Sequence, residues 1–406
     1  MNAFNTLCSV GFLARFSYAL ARNPVLPLFA LYLGAGPEAI GLAVGISTVT
    51  GIFFKMPSGA LSDLIGRRRS LLMGLAVFGV MPFTYLFIKD YSLLIPVRFL
   101  HGLATAIYGP VAMAVVADIA GARKGEWLSW FSSVTILGTL VGAPVGGFLL
   151  TYGTVANGLT LNDFRLVFLL SGLAGAAALV LGLIALRDEE RVVRHRGAFK
   201  ERLAQFLSGI KEVVNDRRVV ITSNMEGLQN LTVGALEAFL PVYAVKIAGL
   251  TEFQAGLLWG VQVVTTILSK PLMGRISDRW GRKPIIVAGM VLCAGSFAAI
   301  PLLISFSLLL VTALVFGLGE AFVTSSSAAL VADVCQEKHF GAAMGTFGTI
   351  FDVGHASGPI LAGLLIARFD YLTSFAIMGA LLLIAIPVFI LGVDVKRVKT
   401  GAAQAL

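Results

Sequence analysis

Twelve stretches of about twenty mostly apolar residues dictate what this chain can fold into. They fall near 7–33, 39–61, 70–88, 93–117, 127–152 and 164–186, and then near 219–247, 253–276, 284–305, 307–332, 341–366 and 372–393. A helix needs about 20 apolar residues to cross a hydrocarbon core roughly 30 Å thick, where no water is available to satisfy an exposed peptide group. The chain therefore reads as an all-α membrane protein of twelve spans in two sets of six. Composition agrees: 57% of the 406 residues are apolar and 13% charged, against about 25% charged in a soluble domain. The mean hydropathy is +0.88.

A net charge of +9 would suit a nucleic-acid partner only if the basic residues clustered on a soluble surface. Instead they alternate from loop to loop. One set of loops carries twenty-two Lys and Arg, including Arg67 to Arg69, Arg123, Lys124, nine between Arg187 and Arg218, Arg279, Arg282 and Lys283. The other set carries four: Lys89, Arg165, Lys246 and Arg368. The positive-inside rule places the first set, with both termini, in the cytoplasm of a plasma membrane, the inner membrane if the cell is bacterial. The chain divides into a bundle at 1–186, a cytoplasmic linker at 187–218, a second bundle at 219–394 and a tail at 395–406. In the linker Phe199, Leu203, Phe206, Ile210 and Val214 recur at helical spacing, which fits a helix on the membrane surface or a solvated one. Ala19-Leu20-Ala21 formally fits a signal-peptidase site, but no basic residue precedes it and Arg15 interrupts the run, so the first run is expected to remain a span. Cys8, Cys293 and Cys335 are odd in number and widely spaced, and read as free thiols without a metal site.

The second bundle repeats the first. GALSDLIGRRRS, at Gly59 to Ser70, returns 215 residues later as GRISDRWGRKPI, at Gly274 to Ile285. The same offset superposes Gly41 and Gly45 on Gly256 and Gly260, Lys55 on Lys270, Asp63 on Asp278, Gly102 on Gly317 and Asp118 on Asp333. Duplicated halves around a midplane site are the plan of secondary transporters. Four G-x-x-x-G pairs, at Gly41 and Gly45, Gly138 and Gly142, Gly256 and Gly260, and Gly354 and Gly358, put small residues one turn apart in the second, fifth, eighth and eleventh spans. Such pairs admit close backbone approach, so these helices are expected to form the interface between halves.

These residues resemble the major facilitator superfamily along essentially the whole chain. Gly59, Asp63, Gly66, Arg67 and Arg68 match its signature loop, and Gly274, Asp278, Gly281, Arg282 and Lys283 match the second copy. The resemblance implies a conformational latch, with arginines bridging to neighbouring carboxylates. Gly138, Gly142, Pro144 and Gly147 resemble the glycine-proline motif of the drug/proton antiporter branch, with Ala143 where that branch usually has glycine. Gly354, Gly358 and Pro359 repeat the idea in the eleventh span. That resemblance implies export.

Ionisable residues inside spans are costly, and each is a candidate for function. Arg15 and Arg22 lie seven apart and share a face of the first span; Glu226, Gln229, Asn230 and Glu237 form a stripe on the seventh. The repeat sets Arg22 opposite Glu237, as a coupling pair or a static one. In the fourth span Arg98, His101 and Thr105 share a face, and Arg98 with Gly102 resembles the family's R-x-x-x-G pattern linked to proton movement. Glu237, Asp352, Glu320, Arg98 and Glu226 are the proton-coupling candidates. Arg15, Arg22, Asn230, Gln229, Gln262, His101, Tyr108, His355, Lys55 and Lys270 are the cavity candidates, with Lys55 and Lys270 reading either as an anion-binding pair or as gates.

The sequence holds no G-x-S-x-G, no H-E-x-x-H and no P-loop lysine motif, so neither an enzyme nor a cofactor is expected. The expectation is a monomeric, gradient-driven transporter, exporting a small lipophilic or amphipathic solute against protons, or against sodium. The alternatives are a carrier of an organic anion using Arg15, Arg22, Lys55 and Lys270, and a sensor on the same fold that moves nothing.

Overall fold

The computed structural model describes residues 3–185, 215–335 and 340–394, and among them the chain is helical with no strand. Residues 187–214 of the linker, with their expected amphipathic helix, and the tail at 395–406 lie outside the described residues. The helices are α1 Ala3–Leu20, α2 Val25–Tyr32, α3 Pro37–Ile65, α4 Arg67–Thr84, α5 Leu94–Ala120, α6 Lys124–Asn157 and α7 Leu161–Ala185. In the second half they are α8 Arg217–Lys246, α9 Glu252–Trp280, α10 Arg282–Ala299, α11 Phe306–Val334, α12 Phe340–Arg368 and α13 Tyr371–Gly392.

The run at 7–33, read from sequence as one span, is broken into α1 and α2. Pro24 lacks the N–H that would bond one turn back and disfavours helical backbone at Asn23, and the chain turns over Ala21 to Pro24 before the ladder resumes with Leu26 N–H on the Arg22 carbonyl. With α1 and α2 as parts of one crossing, the helices make twelve. Among the described residues, nine helices are long and apolar enough to cross a bilayer on composition alone. The other three crossings are α1 with α2, α8, and α9. The stretch from α1 to α2 carries Arg15 and Arg22, α8 carries Glu226, Gln229, Asn230 and Glu237, and α9 carries Gln262 and Lys270. A helix diluted by polar residues must turn them away from lipid, which marks these crossings as the ones around the molecular axis. Residues 222 to 244 of α8 are almost entirely buried.

Packing repeats as the sequence does. In the first half α1 packs on α6 and α7, α3 on α5, and α4 on α5 and α7; in the second α8 packs on α12 and α13, α9 on α11, and α10 on α11 and α13. Between halves α3 meets α12 and α6 meets α9. Each of these pairings maps onto the other when the halves are exchanged, so the two six-helix bundles are related by a pseudo-twofold axis.

The four helices that bear the glycine pairs are the ones that meet between halves, but the pairs themselves divide between two jobs. A Cβ at Gly45 would sit 2.6 Å from the Ala356 carbonyl oxygen, and one at Gly256 would sit 3.0 Å from that of Ala143. Gly41 faces the Pro359 carbonyl, Gly147 that of Glu252, and Pro144 packs on Gly260. These contacts cross between the halves. Gly138 and Gly142 instead abut Phe12 and Leu20 of α1, and Gly354 and Gly358 abut Gly227 and Leu231 of α8, inside their own halves. On α6, Pro144 and Gly147 share a face that lies round the helix from Gly138 and Gly142. These glycine and proline approaches all lie in the half of the helices remote from the signature loops. The far side is therefore where the bundles close on each other.

Candidate functional site

A cavity of about 530 Å³ lies among α1, α3, α5, α6 and α12. It runs from Arg22, beside the break in the first span, to Met113 and Phe131, each seven residues from the signature-loop end of its helix. Its long axis thus leads from the closed side toward the signature-loop side.

Two ion pairs cross between halves at its wall. The Arg22 guanidinium meets Glu237 with two nitrogens: Nη2 donates to Oε2 at 2.8 Å while Nε faces Oε1. His355 Nε2 stands 3.1 Å from the same Oε2, and Asn23 Nδ2 donates to the Glu237 backbone carbonyl at 3.1 Å. The helix break at Pro24 delivers Arg22 and Asn23 together to α8. The Glu237 side chain is only 3% exposed, and a carboxylate so placed calls for a cation beside it, which Arg22 supplies. The second pair joins Lys55 Nζ to Asp352 Oδ2 at 2.6 Å. Lys55 is 44% exposed and Asp352 15%, so this pair is wetter.

His101, expected in the cavity, does not line it, and neither does Arg98, the proton-coupling candidate one turn before it. Both are fully buried. Arg98 Nη2 donates to Ser47 Oγ at 2.8 Å and Nε to the Ala43 carbonyl at 3.4 Å, tying α5 to α3. His101 Nδ1 is 3.2 Å from Tyr85 Oη. The guanidinium carbons of Arg22 and Arg98 each lie 5.5 Å from the centroid of the Tyr18 ring. A ring face so placed attracts both cations and links the cavity wall to the buried arginine.

The polar stripe expected on α8 separates into two places. Seven to eleven residues before Glu237, Asn230 Nδ2 donates to Glu226 Oε1 at 3.2 Å and to Gln229 Oε1 at 3.1 Å. Across from it, Gln262 Nε2 and Thr266 Oγ1 both donate to Glu320 Oε2, at 2.7 and 3.0 Å. Glu226, Gln229, Asn230, Gln262 and Glu320 are therefore engaged with one another inside the second half and do not line the cavity described above. Nor does Lys270, which is half-buried on α9. Buried amides and carboxyls without water must find partners among themselves, and these three helices supply them. Of the cavity candidates, Arg15, Arg22, Lys55, Tyr108 and His355 line it.

Sequence reasoning missed Ser47, Asn23 and Tyr18 as partners of the charged groups. Only Tyr18 carried a signal, since it lies one turn before Arg22 on the same face. Of the other aromatics, Phe29 packs on Phe164 and Phe168, and Phe239 and Tyr243 on Tyr371, away from the cavity.

The two signature loops have one geometry. Gly66 at φ +100° and Gly281 at φ +94° occupy a region that only glycine enters cheaply. Gly59 and Gly274 are not packing points, because a Cβ at Gly59 would meet only Pro110 at 3.8 Å and one at Gly274 nothing within 4 Å. Arg67 Nε reaches Asp118 at 3.2 Å and its Nη1 reaches Ser62 at 2.7 Å; Arg282 Nε reaches Asp333 at 3.1 Å and its Nη1 reaches Ser277 at 3.2 Å. Arg282 also meets Asp278 at 2.5 Å, and Lys283 Nζ donates to the Ile390 carbonyl. Each loop is thus clasped to the end of α5 or α11 within its own half. The side chain of Asp63 lies outside the described residues.

The model of the major facilitator superfamily matches residues 7–261 and 225–405. The uncharacterized MFS-type transporter MJ1560 of Methanocaldococcus jannaschii is 24% identical over 368 residues, covering 90% of this chain and 89% of that protein. The multi-drug resistance efflux pump PmrA of Streptococcus pneumoniae is 22% identical, covering 86% and 85%. Among solved structures, the nucleoside transporter NupG superposes with a TM-score of 0.81 at 14% identity, over 98% of this chain and all of that one, a likeness of fold. With duplicated bundles, paired signature loops and a family match over nearly its whole length, the chain belongs to the major facilitator superfamily and is an integral membrane transporter of small molecules, not an enzyme.

Proposed function

We propose that this chain is a proton-coupled exporter of a small amphipathic solute, working as a monomer by alternating access, with its signature loops in the cytoplasm of the plasma membrane. The observation that carries the reading is the pair of carboxylates, Glu237 and Asp352, each holding a cation of the opposite half at the wall of one cavity. Protonating either carboxylate removes its charge and releases Arg22 or Lys55, and with it a tie between the halves. For the Arg22 and Glu237 pair, removing one partner of a buried pair costs about 3–5 kcal/mol, most of the roughly 5.5 kcal/mol that inverts a two-state population from 1:99 to 99:1.

In this cycle the cavity takes solute from the cytoplasmic side while the far side is sealed by the glycine contacts. The solute-loaded bundles rock about the cavity as nearly rigid bodies and open the far side, where entering protons neutralise Glu237 and Asp352 and hold the seal apart. Release of the solute outward and re-formation of both pairs, with the protons passing inward, resets the molecule. Export is favoured by the glycine-proline motif of α6 and by the efflux pump name of PmrA.

The test is a pH-sensitive dye in proteoliposomes under an imposed proton gradient, challenged with lipophilic cations, neutral amphiphiles and organic anions. The reading expects solute-driven proton movement that falls at least tenfold in Glu237→Gln or Asp352→Asn. Movement that appears only with sodium, or that ignores both substitutions, overturns it.

A further inference from the structure

We propose that the solute carried at this cavity bears an anionic group, received by Arg15 together with the hydroxyl of Tyr108; this rests on the cavity being the transport site. The argument begins with where each cation's charge is spent. Arg22 is held by Glu237 and Lys55 by Asp352, while Arg98 is folded away on Ser47 and the Ala43 carbonyl. Arg15 lines the cavity from α1, one and a half to two turns from Arg22 on the same face, and makes no hydrogen bond or ion pair among the described residues. Its terminal nitrogen instead points along α5, where a Cβ at Gly109 would lie 3.9 Å from Nη2.

A second observation comes from the neighbouring residue of α5. Tyr108 is 1% exposed, lines the same cavity, and its buried Oη has no partner. A phenol hydroxyl normally finds a partner when buried, and a guanidinium inside a membrane protein normally finds an anion. Two such groups on one cavity wall supply a charged donor and a neutral donor, the set that binds a carboxylate or a similar oxyanion.

The electrostatic balance points the same way. At the cavity three cations, Arg15, Arg22 and Lys55, face two carboxylates, Glu237 and Asp352, which leaves a positive charge unmatched whatever the state of His355. In a medium of low dielectric that charge repels a lipophilic cation and draws an anion. Phe131, Met113, Ile136 and Phe351 form the apolar remainder of the wall, so the ligand has an apolar body as well as an anionic head. The volume, about 530 Å³, is that of an ordinary small-molecule site.

Three naphthalene probes of one shape separate the charges: 2-naphthoate, 2-naphthylmethylammonium and 2-naphthalenemethanol. Binding is measured by equilibrium dialysis against the full chain in nanodiscs, with empty nanodiscs as blank, and flux in proteoliposomes with and without a proton gradient. The expected result is preferential binding of 2-naphthoate, weakened at least tenfold by Arg15→Gln and a fewfold by Tyr108→Phe, with Arg15→Lys retaining part of the affinity. The neutral alcohol should bind wild type and Arg15→Gln alike, which also shows that the variant is folded. Failure of wild type to bind 2-naphthoate, preference for the ammonium, or indifference of naphthoate binding to Arg15→Gln and Arg15→Lys overturns the inference. If naphthoate binding depends on Arg15 but no probe moves protons, the anion site stands and proton coupling falls. If the ammonium drives proton movement while naphthoate ignores Arg15, coupling stands and the anion site falls.

Discussion

Arg22 and Glu237 stand at equivalent positions of the two halves and touch, so the axis relating the bundles passes close to their ion pair. A pair on the axis links the halves without favouring either, and its rupture is felt by both. Glu237→Gln or Arg22→Gln alone should therefore reduce thermal stability and flux strongly, while the double variant should recover part of the stability, because no charge is left unanswered. A double-mutant cycle on melting temperature checks this, and additive losses would mean that the two residues act separately. The Lys55 and Asp352 pair has no such symmetry, since the repeat sets Lys55 against Lys270, and its greater exposure makes it weaker. Lys55→Ala is expected to alter transport rate with little change in melting temperature, read from the same two assays. At this scale the sequence was a fair guide to which residues carry charge and a poor one to which share a place. Arg22 with Glu237 followed from the 215-residue offset, but Glu226 and Glu237 looked like one stripe and are in different clusters, because neighbouring helices decide where a polar side chain finds its partner.

Among elements, two of the crossings diluted by polar residues, the first and α8, supply the Arg22 and Glu237 pair, and the glycine-bearing helices α3, α6, α9 and α12 are the ones that meet between the halves. Gly41→Val places a branched side chain against the Pro359 carbonyl, and the expected outcome is a loosened far-side seal, seen as faster thiol labelling of a cysteine at buried Ala43 beside it. Gly274→Ala, where nothing lies within 4 Å, should leave labelling and flux unchanged, although both glycines belong to repeated motifs. Helix ends on the far side are built by ordinary capping. Thr251 forms a capping box with Gln254 at the start of α9, and Thr251→Ala is expected to cost about 1 kcal/mol in unfolding measurements. Asp370 accepts from the Thr373 N–H at 2.6 Å, which holds its carboxyl below the usual range. A depressed carboxyl stabilises above its unfolded value and loses that contribution as pH falls through its folded value. The difference in melting temperature between wild type and Asp370→Ala should accordingly fade as the pH is lowered below about 4. Span number and the repeat were legible because both are written in composition and spacing. The break before Pro24 is written in that proline, whereas the side of α6 that faces α9 is not legible in a helix rich in small residues on two faces.

For the molecule as a whole, the closed far side and the cavity running toward the signature loops describe one of the two end states that alternating access requires. The clasps of Arg67 on Asp118 and Arg282 on Asp333 stay within their halves in this state, so they stiffen each bundle as a body that can rock. Arg282→Ala should slow exchange between states more than it weakens solute binding, measured as exchange flux against equilibrium binding. In the proposed cycle protonation shifts the bundles from closed on the far side to closed on the signature-loop side. A pair of spin-label distances between the halves tests this: Ser129 on α6 to Leu272 on α9 near the signature loops, and Tyr152 on α6 to Ile247, in the turn between α8 and α9, on the far side, all exposed positions. Lowering the pH should shorten the first distance and lengthen the second, and Glu237→Gln should reproduce the change at neutral pH. Two distances that ignore pH, or that change in the same sense, would contradict it.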